Sequence, residues 1–127
     1  MKPRIGLLTF AEQREEFYLK RKFIVEEESK KILSVLNKLF NCVQSDPIRT
    51  KSDLVKSVEK MQKENITSVI ISLPIWSSPN LPALAVKMLA IPVVLLGNTR
   101  SDSSSIVALL ASGGALDQMG YPHKRFI

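Results

Sequence analysis

The spacing of hydrophobic and polar positions changes several times along this chain, and each change predicts a different element. A short apolar run around Gly6 predicts a first strand over residues 4–9. Over residues 12–40 the apolar side chains recur at three- and four-residue spacings, as they do along one buried stripe of a helix. The stripe that we expect to face the core consists of Phe17, Phe23, Ile24, Ile32, Val35, Leu36 and Leu39.

The middle of the chain predicts a short strand followed by a capped helix. Residues 42–44 predict the second strand. Thr50 lies three residues before Asp53, so its hydroxyl is placed to cap the backbone N–H of Asp53 at the start of a helix. Asn65 tolerates the left-handed backbone conformation in which many helices end, and we therefore expect this helix to stop there.

Two later segments predict strands that are covered on both faces. Residues 66–73 and 91–96 are apolar on both sides of the strand alternation, a pattern typical of a parallel sheet. Helices are expected over residues 81–89 and, after capping serines at 101–105, up to Met119.

The predicted elements alternate as βαβαβαβα in a single domain that spans residues 1–127. Because crossovers between parallel strands are right-handed, this order predicts an α/β fold with a three-layer, doubly wound parallel sheet. We expect a flavodoxin-like (Rossmann-like) arrangement of about four strands in the order 2-1-3-4. In such open sheets, ligands meet the loops at the carboxyl ends of the strands.

Five side chains in those loops are candidates for ligand binding. Arg14 follows the first strand, Trp76 follows the third, and Asn98, Thr99 and Arg100 follow the fourth. Arg14 could form two hydrogen bonds to sugar hydroxyls or to a carboxylate, and Trp76 could stack on the C–H face of a sugar. The alternative is that Arg14 pairs with a neighbouring glutamate and that Trp76 fills a subunit interface.

The formal net charge of +6 raises the question of a nucleic-acid partner. The basic runs at residues 20–22 and 30–31 flank Glu26-Glu27-Glu28, and such alternating blocks are typical of a solvated helix face. The basic residues are not interleaved with aromatic ones in the way that base stacking requires. We therefore expect no nucleic acid among the partners.

Hydropathy and cysteine content favour a cytoplasmic location. The apolar runs are interrupted well before they reach a membrane-spanning length, so we expect no membrane partner. The first apolar run is too short for the core of a signal peptide. Cys42 is the only cysteine and cannot form an internal disulfide, which suits a reducing compartment.

The residue constellations that carry catalysis are missing from the sequence. No glycine-rich phosphate loop follows the first strand, and Gly113-Gly114 lies inside a helical pattern, where we expect it to permit close packing. His123 is the sole histidine and lies far from Cys42, so we expect Cys42 to be a small buried hydrophobe. The acidic residues at 12–16 suit a helix start, where they meet the helix dipole. We therefore expect no catalytic residue and no metal site in this chain.

Three stretches of the chain resemble a known family. They are "KPRIGLLTFAEQREEFY" at the start, "VIISLPIWSSPNLPALA" in the middle and "IPVVLLGNTRSDSSSIVALLASGGALDQMGYPHKRFI" at the end. Together they are similar to the N-terminal domain of the L-fucose/L-arabinose isomerase family. The most specific part is the ending, where a helix, "GALDQMG" and "PHKR" occur in the family's order.

The resemblance implies a ketol isomerase that interconverts an aldose and a ketose. In that family a divalent cation, usually Mn²⁺, holds the sugar oxygens while hydrogen moves between C1 and C2, and its ligands belong to later domains. The family's N-terminal domain assembles the homo-oligomer and closes over the active site of a neighbouring subunit. By motif, Arg14 and Trp76 match positions that contact the sugar substrate in this shared site.

Two other functions are open at this point. A strand–helix–strand pattern shared with single lobes of sugar-binding proteins favours a one-lobe sugar-binding module, and a purely structural oligomerisation module is the other alternative. Because "PHKRFI" is a segment that would lead into a next domain, we expect residues 1–127 to be the N-terminal domain of a longer chain, inactive when isolated.

Overall fold

The computed structural model describes residues 2–127, and Met1 lies outside that range. Over these residues, strands and helices alternate as the sequence predicts. Within the same range, none of the helices combines the length with the hydropathy that crossing a bilayer requires. The elements are β1 (Arg4–Thr9), α1 (Glu15–Leu39), β2 (Asn41–Gln44), α2 (Lys51–Lys63), β3 (Ser68–Ser72), α3 (Asn80–Leu89), β4 (Val93–Leu96), α4 (Ser105–Gln118) and β5 (Lys124–Phe126).

All strands run parallel in one sheet, in the order β2-β1-β3-β4-β5. The predicted order 2-1-3-4 is confirmed, and so is the doubly wound α/β class. The structure adds β5 at the edge, where Leu96 of β4 is opposite Phe126. The sequence did not predict β5 because its three residues are all exposed and include Lys124 and Arg125, so no apolar alternation marks it. The carboxyl ends of all five strands share one edge of the sheet.

The main core lies between the sheet and the helices α2, α3 and α4. Right-handed crossovers from β2 to β3, from β3 to β4 and from β4 to β5 all advance in one direction across the sheet, and they place α2, α3 and α4 on the same face. The crossover from β1 to β2 runs in the opposite direction, so α1 lies on the opposite face. No α1 side chain belongs to the main buried cluster. Its members include Leu8, Leu54, Val58, Met61, Val69, Ile71, Ala85, Val86, Leu95, Leu109 and Leu116.

The predicted buried stripe of α1 is largely wrong. Of that stripe only Ile24 is fully buried, whereas Val35 and Leu39 are 58% and 64% exposed. The reason is that α1 is the sole helix among the described residues on its sheet face, so no second helix covers its flanks. The buried apolar side chains of α1 lie in its first half. They form a second, smaller cluster of Ala11, Tyr18, Ile24, Val25 and Ile75.

The predicted helix ends are confirmed. Thr50 Oγ1 accepts from the backbone N–H of Asp53 at 3.1 Å, and the Asp53 carboxylate accepts from the N–H of Thr50 at 3.1 Å. Asn65 adopts a left-handed conformation, with φ of 53°, just beyond α2. The capping role expected of the serines before α4 is confirmed only in part: the side chain of the N-cap residue Ser104 makes no capping hydrogen bond, whereas Ser103 Oγ accepts from the N–H of Ser105 at 3.1 Å.

β5 is fastened to α4 by the Arg125 side chain. Its Nε donates to His123 Nε2 at 3.0 Å, and its guanidinium forms an ion pair with Asp117. Because His123 Nε2 accepts this bond, its Nδ1 carries the proton and donates to the Tyr121 carbonyl at 3.0 Å. The guanidinium lies directly against Gly113, where any side chain would overlap it. Gly113 thus permits close packing, as the sequence predicts.

The glycine pair of α4 supplies a matched test of this packing. Inside a helix, Ala is favoured over Gly by about 1 kcal/mol. A Cβ added at Gly114 meets nothing within 4 Å, so we expect Gly114→Ala to raise the free energy of unfolding by about that amount. Gly113→Ala displaces the Arg125 guanidinium, and we expect it to stabilise less or to destabilise. Urea denaturation measures both.

The Arg125→Ala background supplies the control for this comparison. There we expect Gly113→Ala to become as stabilising as Gly114→Ala, because the displaced guanidinium is gone. Equal effects of the two substitutions in the unmodified chain would contradict the packing of Arg125 on Gly113.

Candidate functional site

A cleft of about 340 Å³ opens at the carboxyl edge of the sheet. Its walls are the loops after β1 and β3, the first turns of α1 and the start of α4. Both side chains that the sequence predicts as sugar contacts, Arg14 and Trp76, line this one cleft. The lining residues are Glu12, Arg14, Phe17, Arg21, Ile75, Trp76, Ser104 and Val107.

Glu12 and Arg14 form a two-pronged ion pair in the cleft wall. Arg14 Nε donates to Glu12 Oε1 at 2.9 Å and Nη2 donates to Oε2 at 3.3 Å. The backbone N–H of Arg14 also points to Oε1, at 3.3 Å. The Glu12 side chain is only 9% exposed and that of Arg14 is 62% exposed. The pairing of Arg14 with a neighbouring glutamate, expected as one alternative, is therefore present, and it leaves Arg14 facing solvent.

The charge state of Glu12 follows from its partners. The hydrogen bond from the Arg14 side chain holds the pKa of Glu12 below its ordinary value, and burial works in the opposite direction. The positive charge of Arg21 lowers the pKa further. Glu12 is therefore ionised at neutral pH and can only accept hydrogen bonds.

Arg49, which precedes α2, holds the loop that carries this pair. Its Nε donates to the Glu12 carbonyl at 3.0 Å, and its Nη2 donates to the Glu15 carboxylate at 2.8 Å. Its guanidinium also lies 3.9 Å from the centre of the Tyr18 ring. Arg49 thereby joins the loop after β1 to the first turn of α1. Sequence reasoning missed this residue because its partners lie more than thirty positions away along the chain.

Arg21 and Phe17 bring α1 into the site. Arg14, Phe17 and Arg21 are separated by three and four residues, which places them along one face of a helix. The Arg14 guanidinium lies 4.0 Å from the centre of the Phe17 ring. Sequence analysis missed Glu12 and Arg21 as site residues, although this spacing was a signal that could have linked Arg21 to Arg14.

Trp76 is held at the cleft by the loop after β3. Ile75 is fully buried in the small cluster with Tyr18, Ile24 and Ala11. Trp76 is half-buried and packs against the main core. The indole therefore has one side supported by protein and another bordering the cleft, as stacking on a ligand requires.

The remaining sequence candidates lie elsewhere. Asn98, Thr99 and Arg100 line a separate groove of about 620 Å³ on the α1 face of the sheet. The side chains of Asn98 and Arg100 already have partners within the chain. The Asn98 side chain donates to the Pro74 carbonyl at 3.0 Å and accepts from the backbone of Arg100 at 3.1 Å. The structure therefore does not bring these three together with Arg14 and Trp76.

Arg100 ties the loop after β4 to α1. Its Nη1 pairs with Glu27 at 2.7 Å and its Nε pairs with Asp102 at 3.1 Å. The hydrogen bonds that Arg100 donates to Asp102 and Glu27 raise the pKa of Arg100, and Arg100 in turn lowers the pKa of Asp102. This side chain fixes α1 in place, and its hydrogen-bonding capacity is largely used inside the chain.

The described residues offer little for covalent or metal chemistry. Burial raises the pKa of the Cys42 thiol, so it is protonated at neutral pH and a poor nucleophile. Within residues 2–127, no three His, Cys, Asp or Glu side chains are grouped so that they could hold a metal ion. The Mn²⁺ ion that the family resemblance implies therefore has no ligand set in this part of the chain. The side chains of the cleft can accept and donate hydrogen bonds, and an aromatic ring can stack on a ligand.

The lowered pKa of Glu12 predicts a pH-dependent contribution to stability. The ionised carboxylate stabilises the fold fully above its ordinary pKa of 4.5, and this contribution is lost as the pH falls through the lowered folded-state pKa. We expect Glu12→Gln to cost about 1 kcal/mol at neutral pH, since the pair is charged but Arg14 is largely exposed. Below pH 4.5 the difference between Glu12→Gln and the unmodified chain should shrink.

Urea denaturation across that pH range measures this difference. Glu16→Gln is the matched control, because its side chain is 78% exposed and its oxygen lies 3.9 Å from Lys20 Nζ. We expect the control to show only a small difference at every pH. A Glu12→Gln difference that stays constant into acid would contradict the pairing.

Comparisons with known proteins complete the description. No protein-family model matches this chain. No curated protein matches it either. Among solved structures, the chain is similar to an ABC transporter periplasmic solute binding protein from Actinobacillus succinogenes 130z, solved with bound D-allose, at 18% identity and a TM-score of 0.42. The match covers 98% of this chain and 38% of that chain, and no inference about ligand or activity rests on it.

Proposed function

We propose that this chain is the substrate-contributing and assembly domain of a cytoplasmic, metal-dependent aldose–ketose isomerase. The observation that supports it best is that Arg14, Glu12 and Trp76 line a single cleft at the carboxyl edge of the sheet. The resemblance to the L-fucose/L-arabinose isomerase family supplies the reaction class. The metal and its ligands are then contributed from outside residues 2–127, because these residues hold no such group.

The cleft has the donors, acceptors and surface that a polyol needs. The ionised Glu12 carboxylate accepts from sugar hydroxyls, and the outward N–H groups of Arg14 donate to them. The indole of Trp76 offers an apolar surface for the C–H face of the ring. The role of these side chains is to orient a sugar whose reacting carbons lie in a neighbouring subunit.

The proposed role in assembly is supported by apolar side chains that are exposed to solvent among the described residues. Around the groove on the α1 face these are Val35, Leu39, Phe126 and Ile127, each more than half exposed. Patches of this kind often mark association surfaces. Since the family resemblance implies a homo-oligomer, we assign a second copy of this chain to the groove.

Sugar binding can be measured at the cleft itself, because Trp76 is the only tryptophan. We expect L-fucose or L-arabinose to change its fluorescence in a saturable way. Arg14→Ala should weaken the affinity about tenfold, since hydrogen bonds to the hydroxyls are lost. Lys30→Ala, an exposed cation outside the cleft lining, should leave it unchanged.

Calorimetry extends the test to Trp76→Ala, which lacks the fluorophore and should also bind about tenfold more weakly. Sugar binding with no dependence on Arg14 or Trp76 would remove both residues from the site. If no aldose binds, the purely structural oligomerisation module becomes the better account of this chain.

Self-association is tested by sedimentation velocity over a range of concentrations. We expect the unmodified chain to form a defined oligomer and Val35→Asp to shift it to the monomer, because the substitution places a charge in an apolar contact. Leu19→Glu is the control, an exposed α1 side chain that does not line the groove. A strictly monomeric chain that binds sugar would favour the one-lobe binding module instead.

A further inference from the structure

The side chains that line the cleft carry more positive than negative charge. Of its charged lining residues, Arg14 is committed to Glu12 through two side-chain hydrogen bonds. Arg21 lines the same cleft, and no hydrogen bond or ion pair joins its guanidinium to any residue in the range 2–127. One guanidinium therefore faces the cleft without a counter-charge.

Arg21 lacks the intrahelical ion pair that the two neighbouring lysines form. Lys20 and Lys22 each lie within 4.0 Å of a glutamate one helical turn away. The positions three and four residues from Arg21 on either side are all apolar or aromatic, namely Phe17, Tyr18, Ile24 and Val25. Such a stripe leaves Arg21 with no intrahelical ion pair and surrounds its stem with apolar surface.

The other carboxylate on which the charge of Arg21 acts, that of Asp102, is also engaged. Asp102 is bonded to Arg100 through both of its oxygens, at 3.1 and 3.3 Å. Arg21 acts on Asp102 and Glu12 through its charge alone, lowering the pKa of each. The N–H groups of Arg21 thus remain available for a ligand. The ionised Glu12 carboxylate repels anions from the side of the cleft on which Glu12 lies.

A guanidinium next to apolar walls is the preferred partner of a carboxylate or a phosphate, which it can bind through two parallel hydrogen bonds. At about 340 Å³ the cleft is of a size for a monosaccharide and not much more. We infer that the sugar taken by this cleft carries an anionic group, a carboxylate or a phosphate, which Arg21 binds. This inference rests on the proposed function and names the substrate class of the same site.

The test is a titration with a matched series of aldoses that share one stereochemistry and differ in the group at C6: L-fucose, L-galacturonate and L-galactose 6-phosphate. We expect at least one anionic member to bind about tenfold or more tightly than L-fucose at low ionic strength. Arg21→Met should abolish this preference, so that the anionic sugars bind no more tightly than L-fucose. Arg21→Lys should retain part of it, and Lys22→Met, at the adjacent exposed cation, should retain all of it.

The outcomes separate the inference from the proposed function. Preference for L-galacturonate alone identifies a carboxylate ligand, and preference for the phosphate ester alone identifies a phosphoryl ligand. Equal binding of neutral and anionic sugars overturns the inference but leaves the sugar site, and so does a preference that survives Arg21→Met. Binding of none of the three sugars overturns the proposed function itself. Inorganic phosphate that binds as tightly as the phosphate ester would also contradict a sugar site, because the sugar would then contribute nothing.

Discussion

The candidate site depends on how the first half of α1 is held against the carboxyl edge of the sheet. Arg49 joins it to the loop after β1, and Arg100 joins it to the loop after β4. Between these two anchors, Tyr18, Ile24 and Val25 form a buried cluster with Ala11 and Ile75 of the loops. Without this arrangement Arg14, Phe17 and Arg21 at the start of α1 would have no fixed relation to Trp76, since Trp76 lies on the loop after β3.

The same arrangement explains the contrast between the two faces of the sheet. Three helices cover one face and bury a continuous core, whereas among the described residues α1 alone covers the other face, with its buried apolar side chains in its first half. In its second half, Val35 and Leu36 border a groove that Leu96 and Ile127 also line. The side chains of Asn98 and Arg100 beside that groove are bonded within the chain, whereas the smaller cleft is lined by Arg21, which has no ion-pair partner among the described residues.

Local and periodic signals predicted most of the fold. The Thr50–Asp53 cap, the apolar strands before Trp76 and Asn98, and the strand order all follow from short stretches of sequence and the handedness of crossovers. The sequence did not predict β5, because an exposed edge strand carries no apolar pattern. For the site, loop position predicted Arg14 and Trp76, whereas Arg49 depends on contacts with residues more than thirty positions away, which the sequence does not encode locally. The expected buried stripe of α1 was wrong because periodicity gives the width of an apolar face and not the number of helices available to cover it.

The separation of the two buried clusters has a consequence for how the molecule opens. The small cluster behind the cleft shares no residue with the main core, and its anchors end on carboxylates that are more than half exposed, Glu15 and Glu27. Ion pairs of this kind weaken as salt is added, whereas apolar burial does not. The contacts that hold the outer wall of the cleft are therefore more sensitive to ionic strength than the main core is. A local opening of this segment, with the sheet still folded, would accordingly be favoured by added salt.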